Sequence, residues 1–339
     1  MNSLEHYKKE FMLRLADVSE LIDKTNKATV FIIQQLPDSD KFIPIIPYIR
    51  ESISAIICFV EIGDIDMLDF VIKNSKGTID KIILDIDRKR ENSEQIIKAV
   101  YELTDNSSIG VYSDLDMWGS ASVDFISCIE KRLNGKKILL TGNSFITPRI
   151  ALKLLTNNAD LYFWEHDYQK GVFKLDNQTE IEIKSKKVEV INNIQSKHFD
   201  LLVGTSILKK SVDNWSIYSD TTFDGIFDIG LNNFNKTFIA NATKKGSRIY
   251  RFDNRAGISS VVLNLMETDF LINNNLGKVF IKDIPVVSGG VMAEEGSVVV
   301  DNAFNPNVVL GVSNGEGLFK TEMSETDIRN VEIIRSLIS

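Results

Sequence analysis

The chain has 339 residues, 43% hydrophobic and 25% charged, with a formal net charge of -8 and a pI near 5.1. That length predicts two domains, with enough apolar material for two cores. The acidic balance argues against nucleic acid or an anionic membrane as main partner, because gripping phosphates takes concentrated Lys and Arg, and the densest basic run is only Lys184, Lys186 and Lys187.

An amphipathic helix is expected over 4–24, where Phe11, Leu15, Val18 and Ile22 recur at helical spacing. Apolar runs at 29–33, 55–60, 81–86 and 109–112 read as strands, and 39–52, 65–74 and 92–103 as the helices between them. The alternation predicts a mostly parallel sheet with helices on its faces, a first α/β domain over residues 1–117. A helix at 119–133 leads into Asn134-Gly135-Lys136, a stop signal before the next strand. A second βα series follows: strands at 137–141, 160–164, 187–191, 201–204, 225–229 and 248–252, with helices at 147–157 and 257–273. Residues 118–275 are therefore expected to form a Rossmann-like, doubly wound parallel sheet. From 276 the composition shifts to Val and Gly. Short strands at 279–281, 286–287, 298–300 and 308–311 suggest hairpins, with a turn at Glu295-Gly296. A terminal helix is expected from Ser324, with Asp327 in a capping-box spacing, so that 276–339 is a small β-rich extension closed by a helix.

Cys58 and Cys128 each stand alone in an apolar stretch, which predicts no disulfide framework and fits a reducing cytoplasm. Residues 1–9 are polar, without a signal-peptide core. No apolar run approaches the roughly 20 residues that cross a bilayer.

The segment with the most chemistry is Gly142-Asn143-Ser144-Phe145-Ile146-Thr147-Pro148. An apolar strand runs into Gly142, and Pro148 suits the first turn of a helix, where free N–H groups and the helix dipole favour a pyrophosphate. The dinucleotide fingerprint G-x-G-x-x-G survives here in spacing as Gly142, Ser144 and Thr147, with two glycines replaced. The competing reading is an ordinary βα turn that binds nothing. Glu165 ends the second strand of the series, about twenty residues further on, where an acid takes the ribose hydroxyls of NAD and repels a 2′-phosphate. NAD is thus favoured over NADP, although His166 lies next door. Gly204-Thr205-Ser206 ends a later strand in small residues, as a cofactor lying across strand ends requires; a plain turn is the alternative.

Arg251, Asp253 and Arg255 share one face if the strand at 248–252 continues, and could grip a substrate carboxylate or form an ion-pair ladder. Asp228 lies at a strand's carboxyl end, where open α/β sheets bind ligands. The histidines His6, His166 and His198 are scattered, with no pair at metal-ligand spacing on one helix, so no metal is expected.

At Asp114-Leu115-Asp116-Met117-Trp118-Gly119 the chain resembles shikimate dehydrogenase and its relatives, two-domain enzymes of the amino-acid-dehydrogenase-like type. Asp116 and Gly119 match the Asp and Gly of that family's N-T-D-x-x-G motif, with Asp114 and Leu115 in place of its Asn and Thr. Gly135-Lys136 matches the G-K that follows a helix later. The likeness runs over about residues 80–260, and neither the first 60 residues nor those after Lys278 have a counterpart. In the family the Asp works with a lysine after an earlier strand, and the comparable position is Lys89, although the family's pattern around that lysine is absent. The resemblance implies an NAD(P)-dependent oxidoreductase acting on a small anionic metabolite in an interdomain cleft, with Asp116 and Lys89 handling the proton; Asp116 could equally be a helix cap. Two other readings stay open: an adenosylhomocysteinase-like enzyme that retains its NAD, and a non-catalytic nucleotide-binding or assembly protein. A homodimer is expected from base rates alone.

Overall fold

The computed structural model describes residues 3–35, 49–52, 54–104, 109–164, 172–175, 179–191, 193–194, 196–207, 220–252 and 255–338. They form two compact units, Met1–Val262 and Leu263–Ser339.

The first unit opens with α1 (Ser3–Thr25), β1 (Ala28–Gln35), β2 (Ile49–Glu51), β3 (Ala55–Ile62), α2 (Ile65–Ser75), β4 (Lys81–Asp85), α3 (Ser93–Leu103) and β5 (Ile109–Tyr112). The sheet order is β2-β3-β1-β4-β5, with β1, β3, β4 and β5 parallel and β2 antiparallel at the edge. β1, β3 and β4 are buried on both faces, which is why they read as continuous rather than alternating apolar runs. α1 contributes Tyr7, Phe11, Leu15 and Val18 to one core with Phe31, Ile56 and Val60. Burying a side chain of this size is worth roughly 1.5–3 kcal/mol, so this stripe holds α1 against the sheet. The Asp64 carboxylate starts α2 by accepting from Met67 N at 2.8 Å. Of the helix expected over 39–52, residues 39–48 lie outside the described residues, and 49–51 are strand instead. Pairing of Ile49 with Cys58 covers the backbone edge of β3, and that tertiary gain overrides local helix preference. β3 and β4 flank β1 on opposite sides, so the connection through α2 passes β1 to reach β4 and the strand order reverses there. The crevice this opens lies beyond the carboxyl ends of β1 and β4.

α4 (Asp114–Glu130) then leads to β6 (Lys137–Thr141), α5 (Thr147–Thr156), β7 (Asp160–Trp164), β8 (Val172–Lys174), β9 (Glu180–Glu182), β10 (Val188–Ile191), β11 (His198–Gly204), β12 (Thr222–Asp228), α6 (Lys236–Lys244), β13 (Arg248–Arg251) and α7 (Arg255–Asn274). The six-stranded sheet β10-β7-β6-β11-β12-β13 is parallel throughout. Counted within the sheet, that order is 3-2-1-4-5-6, the dinucleotide-binding Rossmann order, with its switch point between β6 and β11. α4 starts earlier than the 119 expected because Ser113 caps it, accepting from Asp116 N at 3.0 Å. Between β7 and β10 the described residues hold the antiparallel pair β8–β9.

The second unit contains β14 (Lys278–Ile281), β15 (Ile284–Ser288), β16 (Val298–Val300), β17 (Val309–Val312) and α8 (Glu325–Ile338). β14–β15 and β16–β17 are antiparallel as expected, but β15 and β16 run parallel, so the middle connection is not a hairpin. Residues 289–297 instead carry the chain back to the same end of the sheet. Val331 and Ile334 of α8 close the core over Val286, Val298, Val300 and Val312. The capping box is reciprocal: Ser324 N donates to Asp327 Oδ2 at 2.9 Å, and Asp327 N to Ser324 Oγ at 3.2 Å.

Candidate functional site

Three carboxylates and one ammonium gather at the switch point of the first sheet. Lys89 Nζ lies 2.6 Å from Asp85 Oδ2 and 2.7 Å from Asp114 Oδ2. The side chains of Lys89, Asp85 and Asp114 are only 6%, 0% and 7% exposed. From β1, Gln34 Nε2 donates to Asp114 Oδ1 at 3.0 Å and to the Tyr112 hydroxyl at 3.2 Å. Gln35 Nε2 donates to the Asp85 carbonyl at 3.0 Å. Asp87 ties the cluster to the start of α4: its carboxylate accepts from Ser113 Oγ and from Leu115 N, both at 2.7 Å. The ends of β1, β4 and β5 thus bring Gln34 and Gln35, Asp85, and Tyr112 to a common point.

The electrostatics follow from burial and an excess of acids. Burial pushes the Asp85 carboxyl up to about 7; Lys89 pulls against that, while Asp114 and Asp87 add to it. For Lys89, burial disfavours the charge, but the carboxylates of Asp114 and Asp85 outweigh it and hold the pKa above that of an ordinary lysine. Burial, then Asp114 and Asp85, raise the Tyr112 hydroxyl as well. The cluster therefore holds a fixed cation beside a carboxyl of raised pKa, Asp85, an arrangement suited to binding an oxygen and managing its proton.

Asp116, the residue matching the family motif, is elsewhere. Its carboxylate is 65% exposed and meets the Arg149 guanidinium of α5. The geometry gives Asp114, two residues earlier, to Lys89. Sequence reasoning missed Asp85, Asp87, Asp114, Gln34 and Tyr112 as a group. The available signal was the density of acids next to Lys89 at two strand ends.

At the second switch point, Gly142 has φ +83°, as the first glycine of a phosphate turn requires. A Cβ there would lie 2.2 Å from Ser206 Oγ and 2.6 Å from Ser206 N, so the glycine also lets two strand-end turns touch. Hydroxyls close the floor between those turns. Thr205 Oγ1 lies 2.8 Å from Thr147 Oγ1 and donates to the carbonyls of Thr141 and Gly142 at 2.9 and 2.8 Å. Thr147 Oγ1 accepts from Ser144 N at 3.0 Å, and Ser144 Oγ donates to the Thr205 carbonyl. Thr147, Ile146 and Thr205 are buried, whereas Asn143 is exposed and Ser144 and Phe145 half-exposed. Two of the amides at the start of α5 are spent internally, since Thr147 N donates to the Ser144 carbonyl at 3.0 Å. What fits a dinucleotide here is the strand order, the positive φ of Gly142 and the lip 143–145; the floor beneath is filled by protein.

Glu165 and His166 lie outside the described residues. Gly204 is buried with no room for a side chain, since a Cβ would sit 2.6 Å from Asn233 Cβ. Asn233, unremarked in the sequence, clasps Ser206 by accepting from its N–H at 2.9 Å and donating to its carbonyl at 3.0 Å. Asp228 Oδ1 accepts from the same carboxamide at 2.7 Å, which makes Asp228 a support for that turn. The extended run Arg251–Arg255 does not form: β13 stops at Arg251, Arg255 opens α7, and Asp253 is outside the described residues. Arg251 is exposed and pairs in register with Asp228.

Strand orders and switch points together define a doubly wound α/β protein with a Rossmann-type second sheet. No family model matches the sequence, and no curated protein does. Among solved structures the chain is similar to shikimate dehydrogenase from Aquifex aeolicus, at 14% identity over 73% of this chain and 92% of that one, with a TM-score of 0.36. It is similar to L-tryptophan dehydrogenase from Nostoc punctiforme, at 12% identity over 72% and 76%, with a TM-score of 0.38. A third is NAD-dependent formate dehydrogenase from Staphylococcus aureus in complex with NAD, at 12% identity over 72% and 96%, with a TM-score of 0.30. The first belongs to the family that Asp116, Gly119 and Gly135-Lys136 resemble. Likeness of this degree is no guide to activity, which has to come from the chain's own residues. Among the described residues, no helix is long and apolar enough to cross a membrane.

Proposed function

We propose that this chain is an oxidoreductase that uses a nicotinamide dinucleotide, NAD in preference to NADP, on a small anionic metabolite. The observation that carries the reading is the buried Lys89–Asp114–Asp85 cluster at one switch point, in the same compact unit as a 3-2-1-4-5-6 sheet with Gly142 at its own switch point. The nicotinamide, when bound, supplies hydride transfer. The lip Asn143-Ser144-Phe145 is where its diphosphate is met, over a floor that the Thr147 and Thr205 hydroxyls hold rigid. Glu165 is the acid for the ribose.

Lys89 spends two of its three N–H groups on Asp85 and Asp114, which leaves the third to donate to a substrate oxygen. Asp114, kept in place by Gln34, takes or returns that oxygen's proton, and the neighbouring ammonium steadies the negative charge that appears. Asp116 serves the start of α4 and the link to Arg149.

The test is calorimetric titration of the full chain with NAD, NADH, NADP and NADPH. Saturable binding with NAD tightest is expected, and turnover found in a metabolite screen should be lost in Asp114→Asn but kept in Asp116→Asn. Absence of heat with all four nucleotides up to millimolar concentration would sink the cofactor and the redox chemistry with it. A second reading, a Rossmann-type protein that has given up its dinucleotide, is favoured by the closed floor under Gly142, and that calorimetric result is the one it requires.

A further inference from the structure

We propose that the amino ends of β11 and β12 form a site for a divalent transition ion of the zinc, cobalt or nickel type, built from His198, Asp200 and Asp224. One ligand atom from each of the three lies within 4.8 Å of the others. Atoms bound to a single zinc at about 2.0–2.2 Å are separated by roughly 3–3.5 Å, so closure takes small rotations, mainly of the exposed His198 and Asp224 side chains. His198 and Asp224 are each 55% exposed, with His198 Nε2 3.9 Å from Asp224 Oδ2.

Two hydrogen bonds outside the ligand set orient it. His198 Nδ1 lies 3.0 Å from Thr222 Oγ1, its register partner on β12. With the Nδ1 proton given to that hydroxyl, Nε2 keeps its lone pair for the ion, the arrangement by which metal-bound imidazoles are held. Asp200 Oδ2 accepts from Lys137 N, at the start of β6, at 2.7 Å, which fixes that carboxylate and leaves Oδ1 as the ligand. One imidazole with two carboxylates selects a borderline ion over magnesium or calcium, which prefer all-oxygen shells. The site is at the opposite end of the sheet from Gly142 and Thr205, so its ion would clamp β11 to β12 and the start of β6 rather than take part in chemistry at the strands' carboxyl ends. The ligands come from two strands, which is why no spacing within one helix betrayed them.

The experiment uses full-length protein without an affinity tag, stripped by chelator and titrated with Co2+ by visible absorbance and with Zn2+ by chelator competition. One equivalent is expected to bind with a ligand-field band, and Zn2+ should raise the thermal midpoint. His198→Ala should weaken binding at least about 10-fold and abolish the midpoint shift, and Thr222→Val should weaken it by about 10-fold. Because His198 is exposed, its variant should melt like the parent in chelator, and His6→Ala should bind as the parent does. Binding unchanged by His198→Ala, or no stoichiometric binding, overturns the proposal. Neither result bears on whether the dinucleotide binds.

Discussion

Replacing Lys89 by methionine keeps the length of the side chain and removes its charge. The ammonium touches Asp85 at 2.6 Å and Asp114 at 2.7 Å, and water can do little to replace it, because none of the three side chains is more than 7% exposed. Both carboxylates keep other partners. Asp114 retains the Gln34 amide at 3.0 Å, and Asp85 Oδ1 retains Asp87 N at 3.1 Å. The loss is therefore that of breaking a buried pair, about 3–5 kcal/mol, rather than the larger penalty of a bare buried ion. With an m-value of about 2–3 kcal/mol/M, the urea midpoint should fall by about 1–2 M at neutral pH. The deficit should be larger at about pH 9 than at about pH 6, since the Asp85 carboxyl, raised to about 7 even beside the ammonium, takes up its proton more readily once that cation is gone. Urea titrations followed by far-UV circular dichroism at the two pH values measure both quantities. A deficit below about 1 kcal/mol, the value for a surface pair, or one that does not change with pH, would refute the assignment of a dry, charge-coupled cluster.

Asp85→Asn isolates one proton. The folded-state pKa of Asp85 is raised to about 7, so between about pH 4 and that value the folded chain holds a proton that the unfolded chain releases, and this carboxyl's contribution to stability falls as pH rises. The variant should lack that fall, gaining on the parent steadily from acid to neutral pH in paired urea titrations. Gly142→Ala should cost about 1–3 kcal/mol, from a positive φ and a Cβ 2.2 Å from Ser206 Oγ, and should weaken any nucleotide binding in the same calorimetric assay. Asp116→Asn removes only a 65% exposed partner of Arg149 and should change the unfolding free energy by less than about 1 kcal/mol.

Strands buried on both faces, such as β1, β4 and β6, were legible as unbroken apolar runs, and the Gly142–Pro148 turn was legible as strand, glycine and helix start. β2 was not, because its pairing with β3 is a contact between segments and leaves no local period. Lys89 was found by its place after a strand, but its partner was not. Motif spacing pointed to Asp116, whereas the direction of the first turn of α4 sends Asp114 inward and leaves Asp116 to Arg149. Thr147 and Thr205, 58 residues apart, gave no hint that their hydroxyls would meet. His198 and Asp224 are neighbours only because β11 and β12 pair in parallel register.

α4 makes a connection that its sequence does not advertise. Its first residue, Asp114, is locked into the Lys89 cluster, and one turn later the Trp118 indole N–H donates to the Ile229 carbonyl at 3.1 Å, just beyond the end of β12. A single helix thus spans from the polar group of one sheet to the carboxyl end of the other. Asp114 and Trp118 can keep both partners only while this stretch of helix keeps its register, so an insertion between them would have to give up one contact or the other.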